Sequence, residues 1–275
     1  MTINTLLRKV NQNKKFNINT YDFFKPTFNV KLAESRGEIK LAQKLRYKVF
    51  FSERIKNPIL NIGNFRRDSD KFDNYADHII VTHRKSKFSK TKVIGTYRLL
   101  KQSVAEKKSG FYSCDEFNLE NLLNSRIYNN MLELSRSCIS QKFRNKNVLQ
   151  LMWKEIHHYI NKNNIDALFG TASFLSTNVN KIEDQLIYLN HHHKMPDNIT
   201  VSALPKYRVN IDYQKKINLN IRLFAKLPTL IKAYLKFNAS IGTGAVIDNK
   251  FKTTDVFIFL PIEKINKEYV NKILD

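Results

Sequence analysis

The chain has 275 residues, and its 47 Lys and Arg exceed its 24 Asp and Glu, giving a formal net charge of +23 and a pI near 9.9. With 42% hydrophobic residues, seven Gly and six Pro, the composition is that of a folded globular protein and excludes a disordered or collagen-like chain. Apolar runs such as VFIFLP at 256–261 are much shorter than the roughly 20 residues that cross a bilayer, so we predict no membrane-spanning helix.

The excess positive charge indicates an acidic partner, which can be nucleic acid, an anionic membrane surface or an acidic protein. A second explanation is a drift toward AT-rich codons, because the chain is rich in Lys, Asn and Ile. The charge is spread along the chain and forms no single basic tail. Cys114 and Cys138 lack metal-binding spacing and suit a reducing compartment, so we predict no metal site.

The chain order of elements predicts one domain after a short extension. We interpret residues 1–30 as a basic N-terminal extension and residues 31–275 as a single domain. Apolar residues at steps of three and four predict a helix over 38–51. Further helices are expected over 147–162, 181–189 and 225–237, and strands over 78–83, 92–100, 131–139, 165–172, 207–213 and 255–260. The lone G-x-G at 242–244 is typical of a turn. This order predicts an α/β fold with a mixed sheet flanked by helices.

Charged residues interrupt the predicted strands and follow the first helix. An acidic cluster is formed by Asp68, Asp70, Asp73 and Asp77. Arg98 lies in an otherwise apolar strand, on the face that points into an apolar layer by the period of two. A buried charge is unfavourable unless it is paired or used, so both a structural ion network and a functional site remain open.

Glu133 and Arg136 are three positions apart in one predicted strand, so a regular strand would send them to opposite faces. A β-bulge between them would bring both to one side and would free a backbone N–H for a ligand. A carboxylate beside unpaired amides is what acyl transfer to an amine requires, since it supplies a base and an oxyanion donor. The sequence therefore predicts a bulge here.

Five segments together resemble a known family. They are RYKVF at 46–50, FDNYADH at 72–78, GTYRLL at 95–100, LELSRSCI at 132–139 and the tail LPTLIKAYLKFNASIGTGAVIDNKFKTTDVF at 227–257. Residues 30–262 resemble the bacterial L-ornithine Nα-acyltransferases, relatives of the GNAT acyltransferases and of the N-acyl-homoserine lactone synthases. The resemblance implies a GNAT-like fold with a largely antiparallel sheet. It also implies that the α-amino group of ornithine attacks a 3-hydroxyacyl thioester carried on acyl carrier protein, giving lyso-ornithine lipid.

The resemblance also implies roles for the charged residues. By its match to the family pattern, Glu133 is the leading candidate for the general base. Asp73 and Asp77 are candidates for holding the cationic groups of the substrate. The remaining matched positions, assigned to substrate binding, are Arg46, Phe50, Arg98 and Arg136. The arginines have two open roles, because they can bind the ornithine carboxylate or lock the acidic residues in place.

The segment that corresponds to the coenzyme A phosphate loop is QKFRNKN at 141–147, which has no glycine. Close approach of its backbone to a pyrophosphate is therefore not favoured. A carrier-protein arm has one phosphodiester, which Lys142, Arg144 or Lys146 can meet, and acyl carrier protein is itself acidic. We thus expect acyl carrier protein as the donor, no separate cofactor, and a cytoplasmic enzyme peripheral to the anionic inner membrane.

Three alternatives remain open at this level. The same chemistry can act on another amine, such as glycine, lysine or S-adenosylmethionine. A nucleic-acid-binding protein would explain the charge, but no recognition motif supports it, so we expect no nucleic acid. A membrane-surface protein without catalysis is the third. Acyl chain length and oligomeric state are not predicted.

Overall fold

The computed structural model describes residues 26–53, 66–144, 146–217 and 221–274, and the side chain of Lys146 is not among what it describes. The fold is built on one nine-stranded sheet. Its strands are β1 Thr27–Leu32, β2 Asp77–Arg84, β3 Lys92–Lys101, β4 Phe117–Asn118, β5 Met131–Ile139, β6 Ala167–Phe174, β7 Ser202–Ala203, β8 Ser240–Asp248 and β9 Thr253–Pro261. Their spatial order is β1-β2-β3-β5-β6-β9-β8-β7-β4. Only the β5–β6 and β7–β8 pairs are parallel, so the predicted mixed, largely antiparallel sheet is confirmed.

Helices flank this sheet. They are α1 Arg36–Tyr47, α2 Gln102–Ala105, α3 Glu120–Asn124, α4 Lys146–Asn163, α5 Glu183–His192, α6 Ile221–Lys226, α7 Thr229–Lys236 and α8 Lys267–Leu274. A π-helical turn, Lys48–Ser52, continues α1, and short 3-10 turns include Lys71–Asn74 and Tyr112–Asp115. No helix among the described residues is long and apolar enough to cross a membrane.

The core occupies both faces of the sheet. On one face α4 packs with Met152 and Ile156 against Ile79 and Leu99 of β2 and β3. On the other face the core is rich in aromatic residues, which include Phe72, Phe111, Phe117, Phe169, Phe257 and Phe259. Arg46, Arg98 and Arg136 lie with their aspartate partners on this second side, next to α1.

Several sequence predictions are wrong. The segment 207–213 is mostly irregular and is not a strand, since it pairs with β8 only through an isolated bridge between Arg208 and Val246. The helix predicted over 225–237 is divided into α6 and α7. Pro228 lies between them, and proline interrupts a helix because it has no backbone N–H to donate. The G-x-G at 242–244 lies inside β8, where it coincides with a register shift, and is not a turn. The division into an extension and one domain stays a prediction, because residues 1–25 lie outside the described part; β1, which pairs with β2, begins at Thr27.

Strands β5 and β6 separate after three paired positions. The ladder runs from Met131–Ala167 to Glu133–Phe169, yet both strands continue beyond it. At the point of separation a Cβ atom on Gly170 would lie 2.1 Å from the carbonyl oxygen of Leu134. Only glycine permits this close approach, so the opening between the strands has a fixed starting point.

We predict that Gly170→Ala destabilises the fold by about 2 kcal/mol or more, because the new methyl group must displace backbone rather than a flexible side chain. Urea unfolding of the two purified proteins measures this. The control is Gly37→Ala in α1, where the added Cβ meets only Ser35 Oγ at 3.6 Å and should stabilise the helix by about 0.5–1 kcal/mol. Equal stabilities for Gly170→Ala and the wild type would contradict the close approach.

Candidate active site

A buried network of arginine and aspartate side chains lies between α1, the segment 66–76, β3 and β5. Arg46 is fully buried, Arg98 is 1% exposed, and Asp68 and Asp73 are 4% and 5% exposed. The third arginine is Arg136, so the network carries three guanidinium groups. Opposite charges at these distances compensate the loss of hydration that each ion suffers on burial.

Asp73 is the centre of the network. Arg46 holds it through two hydrogen bonds of 2.8 Å, and Gln43 and Arg98 donate to it over 3.0 and 3.2 Å. Burial would raise the pKa of Asp73, but the hydrogen bonds and charge of Arg46, with the charge of Arg98, hold it far below its ordinary 3.8. Both carboxylate oxygens are therefore already engaged.

Local sequence shapes the acidic segment. Asp70 caps the turn Lys71–Asn74 by accepting from the N–H of Phe72 at 3.0 Å, while its own N–H donates to Asp73 at 3.2 Å. This capping box fixes the two carboxylates three residues apart. Asp70 also accepts from Arg98 and, at 3.0 Å, from Arg136. The arginines thus make the contacts of the second predicted role, in which they hold the acidic residues.

The predicted bulge in β5 is confirmed. Opposite the single residue Tyr97, β5 places two residues, Arg136 and Ser137, and Arg136 has a left-handed backbone with φ of 54°. The bulge turns the Arg136 side chain to the face of Glu133. Its guanidinium lies between two aromatic rings, 4.5 Å from the centroid of Tyr112 and 4.6 Å from that of Phe251.

Glu133 lies at the last position where β5 pairs with β6, and the two strands separate after it. It is fully buried and accepts hydrogen bonds from the backbone of Tyr112 at 2.9 Å and from the backbone and hydroxyl of Ser113, both at 2.7 Å. Burial raises its pKa, although these hydrogen bonds oppose the shift. Three of the four lone-pair positions of the carboxylate are used, which leaves one on Oε2.

The other predicted substrate-binding residues are distributed differently. Phe50 belongs to the π-helical turn, and its ring lies 5.5 Å from that of Phe251, so it joins the aromatic cover of Arg136. Asp77 is exposed and accepts from the hydroxyl of Tyr159 at 2.6 Å. Because Tyr159 belongs to the core under α4, Asp77 faces the opposite side of the sheet and is not brought to the network.

The predicted basic loop joins β5 to α4. Lys142 is exposed, and Arg144 is ion-paired with Glu53 while it donates to the carbonyl of Ile139 at 3.1 Å. The loop therefore stands at the end of the strand that carries Glu133 and Arg136. Of Lys146 only the backbone, at the start of α4, is described.

Three acidic residues near Arg136 were missed from the sequence. Glu116, Asp248 and Asp255 form the one group of three metal-ligating side chains in the described ranges. Burial raises the pKa of Glu116 and Asp255, and neighbouring carboxylates add to the rise. Asp255 carried a signal, since it is a charge next to the apolar run VFIFL. Glu116 and Asp248 lie in polar surroundings that gave none.

We predict that Asp73→Asn destabilises the fold by about 3–5 kcal/mol at pH 7, because it leaves Arg46 buried without its charge partner. The folded-state pKa of Asp73 is depressed, so its contribution is present above its ordinary pKa of 3.8 and is lost as pH falls below that value. Denaturant unfolding between pH 3 and 8 should therefore show a difference from wild type that shrinks in acid. Asp197→Asn, which breaks an exposed pair with Lys194, should leave stability nearly unchanged. A pH-independent difference would contradict this assignment.

A family model and a solved structure are similar to this chain. The acetyltransferase (GNAT) domain family matches residues 45–154. The solved structure of FeeM, an N-acyl amino acid synthase from uncultured soil microbes, covers 88% of this chain and 96% of its own with 6% identity and a TM-score of 0.48.

Curated relatives match over most of their length. The L-ornithine N(alpha)-acyltransferase of Brucella abortus (strain 2308) is 39% identical over 248 residues, which are 89% of this chain and 88% of that protein. The enzyme of the same name from Rhizobium meliloti (strain 1021) is 38% identical over 243 residues, 88% of this chain and 82% of that protein. The chain therefore belongs to the family of L-ornithine N(alpha)-acyltransferases, and it is an acyltransferase with the GNAT fold.

Proposed function

We propose that this enzyme transfers a 3-hydroxyacyl group from acyl carrier protein to the α-amino group of L-ornithine, giving lyso-ornithine lipid. The observation that carries this proposal is the extended similarity to relatives that bear the name L-ornithine N(alpha)-acyltransferase. In the reaction the amine attacks the thioester carbonyl, a C–N bond forms, and the C–S bond breaks. The free thiol of the carrier arm leaves with a proton.

The opening between β5 and β6 supplies a place for the thioester. Beyond Glu133 and Phe169 the two strands no longer pair with each other, while β5 keeps its ladder with β3 and β6 keeps its ladder with β9. A cleft thus starts within the sheet, between walls that are fixed on their outer sides. We propose that the carrier arm enters this cleft with its thioester near the point of separation.

Glu133 is our proposed general base, and its position supports the role. It stands at the start of the cleft, and burial raises its pKa, which makes the carboxylate a stronger base than an exposed glutamate. Its remaining lone pair on Oε2 can accept a proton from the α-ammonium of the substrate, and the neutral amine that results attacks the thioester carbonyl. Glu133 also anchors the turn Tyr112–Asp115, so a test must separate catalysis from anchoring.

Positive charge near the cleft supports acyl carrier protein as donor. Lys142 is exposed, and Arg144 projects from the same loop at the start of α4, where the helix dipole also favours a phosphodiester. An acidic carrier protein would be steered by this surface and by the net charge of +23. The same charge supports a peripheral contact with anionic lipid at the inner face of the cytoplasmic membrane, where the product would be used.

Expression in a bacterium that lacks ornithine lipids should yield a new N-acyl ornithine by mass spectrometry. Glu133→Gln should lower turnover by about 100-fold or more, the usual contribution of a general base. Ser113→Ala, which removes one hydrogen bond to Glu133 and keeps the base, should cost much less. No N-acyl amino acid with the wild type would refute the proposed function. Equal losses for the two variants, with equal losses of thermal stability, would show that Glu133 only anchors the turn.

The donor is tested with purified enzyme and matched thioesters. Acyl carrier protein should support a higher kcat/KM than the same acyl group on coenzyme A, and raised salt should reduce the advantage. Lys142→Ala should raise KM for the carrier form by about 3- to 10-fold without changing KM for ornithine. Lys264→Ala, a change at another exposed lysine, is the control. Equal use of both donors would overturn the choice of carrier protein.

A further inference from the structure

The carboxylates of Glu116, Asp248 and Asp255 form a second acidic group, which we call the carboxylate trio; Glu116 is half-buried and the other two are buried. Glu116 follows the turn Tyr112–Asp115, Asp248 ends β8, and Asp255 lies in β9. One oxygen of each lies within 4.8 Å of the other two. The trio comes together only in the folded chain, because its members are contributed by three separate segments.

The trio lacks the partners that the arginine network has. Asp255 is 5% exposed, and its Oδ1 is buried with no hydrogen-bond partner, although the hydroxyls of Ser173 and Thr253 are close enough to the carboxylate to lower its pKa. Oε2 of Glu116 is buried in the same way, while Asp248 accepts from the backbone of Lys250 and Phe251. Within the described ranges no basic side chain forms an ion pair with any of the three. Buried acceptors without donors are unfavourable, and each needs an explanation.

Electrostatics favours a positively charged ligand for these unpaired oxygens. Burial raises the pKa of Glu116, and the charges of Asp255 and Asp248 raise it further, whereas Arg136 opposes the rise. Burial also raises the pKa of Asp255; the hydroxyls of Ser173 and Thr253 oppose this rise, and the charge of Asp248 adds to it. Like charges held together away from water favour a bound cation.

We propose that the carboxylate trio binds the side-chain ammonium group of the amino-acid substrate. This inference rests on the proposed function, since ornithine carries such a group on its side chain. Because the three oxygens all lie within 4.8 Å of one another, a nitrogen centred between them would be no more than about 2.8 Å from each, which is within the length of a charged N–H···O bond. An ammonium group has three N–H donors, one for each carboxylate.

A primary ammonium fits this site better than a metal ion. Mg²⁺ and Ca²⁺ usually take six or more oxygen ligands, and the trio offers only three side chains. The guanidinium of Arg136 is close enough to lower the pKa of Glu116 and Asp255. Its positive charge would repel a divalent ion more than a monovalent one.

The trio also stands where a substrate in the cleft can reach it. Asp255 pairs with Ser173 on β6, beyond the last β5–β6 pair at Phe169. Arg136 lies beyond Glu133 on β5, the opposite wall. An amino acid bound between these walls, with its α-amino group toward Glu133, would direct its side-chain ammonium along the β6–β9 wall toward the trio.

The test compares L-ornithine with L-norvaline, which has the same carbon chain without the side-chain amine. Wild-type kcat/KM should favour ornithine by about 100-fold or more. Glu116→Gln and Asp255→Asn should each lower kcat/KM for ornithine about 10- to 100-fold, the effect of one charged hydrogen bond. Constants for norvaline, followed as a substrate or as a competitive inhibitor, should change by less than about threefold.

Glu120→Gln is the control, because Glu120 is exposed and lies outside the trio. Thermal unfolding gives a second readout, in which ornithine raises the melting temperature of the wild type but not of the trio variants. Equal losses on ornithine and norvaline, or no loss on either, would overturn the assignment. So would activity that EDTA abolishes and Mg²⁺ or Ca²⁺ restores. If the wild type acylates lysine instead of ornithine, the proposed function is refuted. The ammonium-binding role of the trio is then supported only if the trio variants lose the preference for lysine. A preferred amine with no side-chain ammonium would refute the trio.

Discussion

Three buried arginines and the aspartates of one short segment neutralise each other, and much of the site depends on this pairing. Arg46 comes from α1, Arg98 from β3 and Arg136 from β5, so the ion pairs connect three elements to the loop that carries Asp68, Asp70 and Asp73. Removing one ion would leave another buried without a partner, at a cost of several kcal/mol. The elements are therefore held in register by charge as well as by apolar packing.

This pairing determines which groups are free for the substrate. Arg46 is bound to Asp68 and Asp73, and Arg136 is bound to Asp68 and Asp70 while two aromatic rings cover it. A substrate carboxylate or ammonium would have to compete with these contacts. Glu133 and the carboxylate trio, by contrast, keep lone pairs that no donor uses. The carboxylates left over after the arginines are paired are thus Glu133 on β5 and the carboxylate trio beside β9.

Much of the fold and part of the candidate site could be predicted from the sequence, because they depend on local periodicity. The period of two placed Arg98 on a buried face, and the spacing of Glu133 and Arg136 required the bulge that the structure has. Other features depend on contacts distant in sequence. Glycines at 242 and 244 suggest a turn, but the neighbouring strands make that segment a bulged strand, β8. No local pattern brings Glu116 to Asp248 and Asp255, because only the sheet order places β8 beside β9 and near the Tyr112–Asp115 turn.

The most direct test of this account is a crystal structure of the enzyme with L-ornithine bound. In that structure we expect the side-chain nitrogen of ornithine within about 3.2 Å of oxygens of Glu116, Asp248 and Asp255. The two hydrogen bonds from Arg46 to Asp73 should be intact. The opposite result is a substrate nitrogen on Asp73 with Arg46 displaced. That arrangement would show that the network binds the substrate itself, and it would contradict the separation between a neutralised scaffold and a free carboxylate trio.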